Sequence, residues 1–121
     1  MFEKALRAFA RRDLKQFPED ENGDVLFQIW KQGADLSGLR AVDFSLIFPT
    51  KEQAELMAAR LTARDGKVRV SYFDAKACWD LCFTVKMIPS WLTISEMEDW
   101  LGEVAATYQG KCDGWGFFSQ A

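Results

Sequence analysis

Three cysteines, Cys78, Cys82 and Cys112, are the groups in this chain best suited to hold a metal or act as a nucleophile, and no histidine accompanies them. Cys78 and Cys82 have a spacing that would bring two sulfurs to one metal ion on a helix. The residues around them alternate as a strand, which separates the two α-carbons by roughly 13 Å, too far for a disulfide or for joint coordination. Without imidazole a Cys₃His zinc site cannot be completed, and the usual general base and near-neutral switch are missing as well. The carboxylate pairs Glu52/Glu55 and Glu96/Glu98 fall on helical stretches whose apolar stripes point elsewhere, so these acids are expected in solvent with ordinary acidity. A hydrolase instead holds two carboxylates across a cleft. Asp80 and Asp113 are the acids within the later strand patterns, and neither has an evident base or nucleophile beside it. These residues point away from catalysis, and no cofactor or metal is expected.

The elements that must position these groups are set by hydrophobic period. Phe2, Ala5, Leu6, Phe9 and Ala10 recur at helical spacing, with Lys4, Arg7, Arg11 and Arg12 on the other side, so residues 2 to about 16 read as an amphipathic helix with a basic face. The acidic stretch from Pro18 to Asp24 reads as a loop. Asp24 is placed to cap a short helix carrying Leu26, Ile29 and Trp30, closed by Gly33. A strand over 25–31 would send Leu26 and Trp30 to the face opposite Phe27 and Ile29, which favours the helix.

From Val42 the period becomes two: Val42, Phe44, Leu46 and Phe48 face one way, Asp43, Ser45 and Ile47 the other. Pro49 stops this strand, and Thr50 with Gln53 has capping-box spacing ahead of a helix bearing Ala54, Met57 and Leu61. Val68, Val70 and Tyr72 alternate in the next strand. After a short turn, Trp79, Leu81, Phe83, Val85 and Met87 alternate with Cys78, Asp80, Cys82, Thr84 and Lys86, which implies a hairpin. Thr93 with Glu96, or Ser95 with Glu98, is placed to cap a second long helix with Ile94, Met97, Leu101, Val104 and Tyr108 in a stripe, and Trp91 to staple its first turn. Gly110 ends it before the final strand.

The order from residue 42 onward is β-α-β-β-α-β, so the expected class is α+β: a ferredoxin-like βαββαβ antiparallel sheet with two helices on one face and an N-terminal helical extension. The 121 residues are read as a single domain, with 1–40 as the extension and 41–119 as the core. Apolar residues make up 49% of the chain, including five Trp and ten Phe, enough for one core. The other sheet face is left open for a ligand, a partner or the N-terminal helices.

Charge and composition narrow the partners. A net charge of −3 and a pI near 5.0 argue against a surface that neutralises many phosphates, so direct nucleic-acid binding is not expected. Phe73 lies on a sheet that could stack a base, yet the aromatic-rich, glycine-containing strand signature of an RNA-recognition module is missing. The first residues carry charges at short intervals and resemble neither a secretory signal nor a membrane span, and three thiols suit a reducing compartment, so a cytoplasmic location is expected.

The chain closes on "CDGWGFFSQA", where two glycines bracket a tryptophan inside an apolar strand pattern. Glycine there permits a bulge or a close backbone approach, and the Asp113 carboxylate can accept nearby amide protons. Trp115 is read as the bulky ring for which Gly114 and Gly116 make room, either filling the core or standing out as an interface anchor.

"NGDVLFQIWKQGADL", "VDFSLIFPT" opening a helix, the strand exit Met87-Ile88-Pro89 and the closing "CDGWGFF" together resemble the family of regulator of ribonuclease E activity B, the ribonuclease E inhibitors, over about residues 22–119. The resemblance implies a ferredoxin-like fold and a non-enzymatic, protein-binding role: contact with ribonuclease E or a component of its degradosome, lowering RNA turnover. It carries Asp113, Gly114, Trp115 and Gly116 over as the motif. Two rival readings stand beside it. One is a small-molecule-binding regulatory module or small enzyme with a pocket between sheet and helices, ringed by Asp80, Thr84 and Tyr72; the other is a dimerisation module pairing open sheet faces, the oligomeric state being left open.

Overall fold

A computed structural model describes Arg7 and residues 10–118 of the protein. In chain order these form helix α1 (Glu21–Lys31), strand β1 (Arg40–Phe48), helix α2 (Lys51–Leu61), strand β2 (Lys67–Phe73), a short 3₁₀ turn (Asp74–Lys76), strand β3 (Cys78–Met87), helix α3 (Trp91–Thr107) and strand β4 (Lys111–Gly116). The class is α+β, and the sheet is antiparallel throughout with strand order β2-β3-β1-β4.

Alternation decides which face each strand residue takes. Val42, Phe44, Leu46 and Phe48 lie opposite Val85, Phe83, Leu81 and Trp79 on β3. Their side chains form one core with Ala54, Met57 and Leu61 of α2 and Ile94, Leu101, Val104 and Ala105 of α3. Both helices therefore cover the same face. The opposite face carries Asp43, Ser45, Asp80, Cys82 and Thr84, with Lys67, Arg69 and Ser71 of β2 alongside.

Capping fixes where the helices begin. Thr50 accepts the Gln53 amide at 3.3 Å, as the spacing predicted. At α1 the cap is Asp20 and not Asp24: the Asp20 carboxylate accepts the Gly23 amide at 2.8 Å, so Glu21 and Asp24 fall in the first helical turn, where acids suit the helix dipole. The residues expected to be loop thus start a helix. At α3 the cap is Ser90, which accepts the Thr93 amide while the Thr93 hydroxyl accepts the Ser90 amide. This box directly follows Pro89, so Thr93 and Ser95 lie inside the helix instead of capping it. Trp91 does not staple the first turn near Ser95; its indole N–H donates to Asp20 Oδ2 at 2.6 Å and ties the starts of α3 and α1 together.

The helix ends are also specific. Gly33, at φ 98°, closes α1 in a Schellman arrangement, with its own amide bonded to Trp30 O and the Ala34 amide to Ile29 O. At α3 the left-handed position falls on Gln109, φ 62°, and Gly110 serves another purpose. A Cβ at Gly110 would lie 2.3 Å from the Phe48 ring. Glycine is there for close packing.

Of the helix expected over residues 2–16, positions 2–6, 8 and 9 lie outside the described residues. Residues 10–16 are irregular chain and turn rather than helix. Arg12 accounts for the turn: its guanidinium donates to Phe17 O and Pro18 O and pairs with Asp24 at 2.8 Å. That route delivers Phe17, 2% exposed, into the core against Phe27 and Trp30. Arg7 donates to Trp30 O and Ala34 O, satisfying carbonyls at the C-terminal end of α1. α1 itself packs on α3, leaving the outer sheet face uncovered by it.

Candidate functional site

The motif Asp113-Gly114-Trp115-Gly116 forms the second half of β4, at the edge of the sheet. Phe44 faces Trp115 and Leu46 faces Cys112, so Asp113 and Gly114 together oppose Ser45: one extra residue bulges from β4. Gly114 takes φ +115°, with open space where a Cβ would be, so backbone conformation alone demands glycine. At Gly116 a Cβ would lie 2.4 Å from the Phe118 ring. The glycines therefore do not clear space for Trp115. One shapes the bulge, the other seats Phe118 on the opposite sheet face.

Trp115 faces the core and is 8% exposed, packed edge-on against Phe117. Its indole N–H donates to Asn22 Oδ1 at 2.8 Å. The Asn22 amide in turn donates to Glu98 Oε1 at 2.8 Å and to Ser95 Oγ at 3.1 Å. One asparagine thus joins β4, α1 and α3. The ring fills the core and anchors this junction from within; it is not an exposed hot spot. The Asp113 carboxylate points to the other face, where both its oxygens accept from Lys76 Nζ at 2.8 and 3.0 Å, and this contact lifts the lysine's pKa.

Beside the Asn22 junction lies a depression of about 610 Å³ lined by the motif's Asp113, Gly114 and Trp115, with Glu21, Glu98 and Asp99 supplying its carboxylates. Glu98 is half-buried, and desolvation, followed by the nearby charges of Glu21 and Asp99, raises its pKa although the Asn22 hydrogen bond pulls the other way. The expectation that both Glu96 and Glu98 lie in solvent with ordinary acidity is corrected for Glu98: α1 packs over it. Cys112, which also lines the depression, donates to Glu98 O at 3.4 Å, and burial together with the charges of Glu98 and Asp99 pushes its thiol up to about 11. It stays protonated at neutral pH and is a poor nucleophile.

The remaining candidates from the sequence lie apart. Cys78 and Cys82 are on the outer face and Cys112 on the inner, so the three free thiols do not converge. Glu55 pairs with Lys51 on the exposed side of α2. Asp80 accepts from Ser45, and Thr84 donates to Asp43, which is 2% exposed. Asp80, Thr84 and Tyr72 do line one concavity, of about 1410 Å³, but it spreads over the outer sheet face instead of lying between sheet and helices. Within it Ser45 is bonded to Asp80, and Thr84 and Cys82 to Asp43. Among the described residues no cluster of three His, Cys, Asp or Glu could hold a metal ion, and no helix is long and apolar enough to cross a membrane.

The sequence marks neither Asn22 nor Asp20 as a junction residue, and it marks Ser95 only as a candidate helix cap, not as a partner of Asn22. Asn22 lies 73 residues from Ser95 and 93 from Trp115, and no local pattern announces contacts of that range.

An antiparallel sheet backed by two helices, with a third helix sealed to it through the terminal motif, makes this an α+β protein whose notable polar groups hold elements together. The family model described as regulator of ribonuclease activity B matches residues 19–117, and the chain belongs to that family. The matched span takes in the Asp20 cap, the Asn22 junction and the whole terminal motif. No curated protein and no solved structure matches the chain.

Proposed function

We propose that this protein is a non-catalytic, protein-binding regulator of a ribonuclease, with ribonuclease E or a component of its degradosome as the partner, acting in the cytoplasm. Family membership supports the regulatory role. The fold reads as ferredoxin-like, a reading supported by the chain order βαββαβ and the strand order β2-β3-β1-β4, with α1 as an extension of a single domain. The observation that carries the choice of site is the position of Asp113 and Gly114 at the rim of a depression edged by Glu21, Glu98 and Asp99. A carboxylate-edged hollow at a fixed junction of three elements suits a basic segment of a protein partner, and its sign disfavours RNA.

Regulation would then follow from contact: the bound protein occludes the nuclease or binds one of its conformations more tightly and shifts the population. Affinity capture from the protein's own cell extract, followed by mass spectrometry, tests this. The wild type is expected to recover a ribonuclease component, and a variant combining Glu21→Lys with Asp99→Lys, both exposed positions, to recover much less. Recovery of no ribonuclease component would remove the reading; equal recovery by the variant would remove the site.

A further inference from the structure

The sheet has two edges, and they differ. β4 is interrupted by the two-against-one bulge at Asp113 and Gly114, which breaks its row of backbone groups. β2 is regular: all seven residues from Lys67 to Phe73 pair with β3 in one unbroken register, and the strand contains no proline, glycine or bulge. No strand among the described residues pairs with its far side. Lys67, Arg69, Ser71 and Tyr72 along it are exposed. Such an edge is a template for another strand.

We propose that β2 pairs with β2 of a second copy, antiparallel about a two-fold axis at Val70, joining the two sheets into one. An axis normal to the sheet keeps the helices of both copies on one face and requires a residue to sit opposite itself. With Val70 in that place, Val68 lies opposite the second copy's Tyr72, Arg69 opposite its Ser71 and Lys67 opposite its Phe73. The apolar row then continues across the junction, covering Tyr72, now 51% exposed. Each cation meets a hydroxyl or an aromatic ring. Moving the axis to Arg69 sets two arginines face to face, and moving it to Val68 sets Lys67 against Arg69 twice. An axis at Ser71 or Tyr72 leaves the start of the strand unpaired. The self-match at Val70 pairs the whole strand without like charges opposite one another, and this selects a second copy as occupant. A seven-residue edge is a small interface, so association is expected to depend on concentration.

Sedimentation velocity over a wide concentration range tests the proposal, with Ser71→Arg and Ser71→Glu as variants. Ser71 is exposed and lies opposite Asp80 on β3, so the arginine is tolerated in the monomer, which circular dichroism checks for both. The wild type is expected to associate as concentration rises. Ser71→Arg, creating two like-charge contacts, is expected to weaken the dimer about tenfold, and Ser71→Glu to strengthen it. A wild type that stays monomeric throughout overturns the proposal and leaves the edge to a strand from another protein. Association that the two variants do not shift in opposite directions overturns it equally. Neither failure bears on the capture of a ribonuclease.

Discussion

Trp115 and Glu98 show how the same junction acts on an apolar and an ionisable side chain. Trp115→Ala removes a buried ring and leaves the Asn22 carbonyl without its donor, so a loss of ~3–5 kcal/mol is expected in urea denaturation. A nearly unchanged midpoint would place the ring outside the core. Glu98 has a folded pKa above its ordinary 4.5, so the folded state holds this proton more tightly than the unfolded chain does. Its contribution to stability is therefore fullest below that ordinary value and is lost as pH rises through it towards the higher folded pKa. Glu98→Gln keeps an oxygen for the Asn22 amide and has no proton to lose. Relative to wild type, the variant should gain stability as pH rises from acid to neutral; a difference independent of pH would contradict the assignment. The sequence placed Trp115 between two roles because strand alternation at the chain's end does not say which face is covered. It misplaced Glu98 for a related reason: the apolar stripe of α3 reveals what packs on the sheet, not what α1 covers.

Secondary elements whose signals are local were readable. The alternation of β1, β2 and β3, the Thr50 cap of α2 and the helical period of α1 all appear in the structure where the spacing placed them. The caps of α1 and α3 were not, since Asp20 and Ser90 each compete with a nearby residue of equal intrinsic capping ability, and tertiary contact decides between them. Asp20 wins because one oxygen caps α1 while the other receives the Trp91 indole. Arg12 in turn draws residues 10–16 away from a helix and delivers Phe17 to the core. The β4 bulge was legible as a glycine signal, while the separate tasks of Gly114 and Gly116 rest on backbone conformation at one and the Phe118 ring at the other, which local sequence does not encode. Gly114→Ala forces a side chain into a left-handed position and should cost about 1 kcal/mol, read by chemical denaturation. A neutral result would mean that β4 relaxes to a regular strand.

For the molecule as a whole, polar side chains tie separate elements together: Asn22 bonds to Glu98, Ser95 and Trp115, and Asp20 bonds to Trp91. Family membership and the carboxylate-edged depression at the terminal motif then favour action by contact. The most direct measurement is the rate at which the captured ribonuclease cleaves a labelled RNA in the presence of increasing amounts of this protein. The account predicts a saturable fall in rate that the Glu21→Lys, Asp99→Lys variant fails to produce, and no RNA cleavage by the protein alone. An unchanged rate at every concentration, or cleavage by the isolated protein, would contradict it.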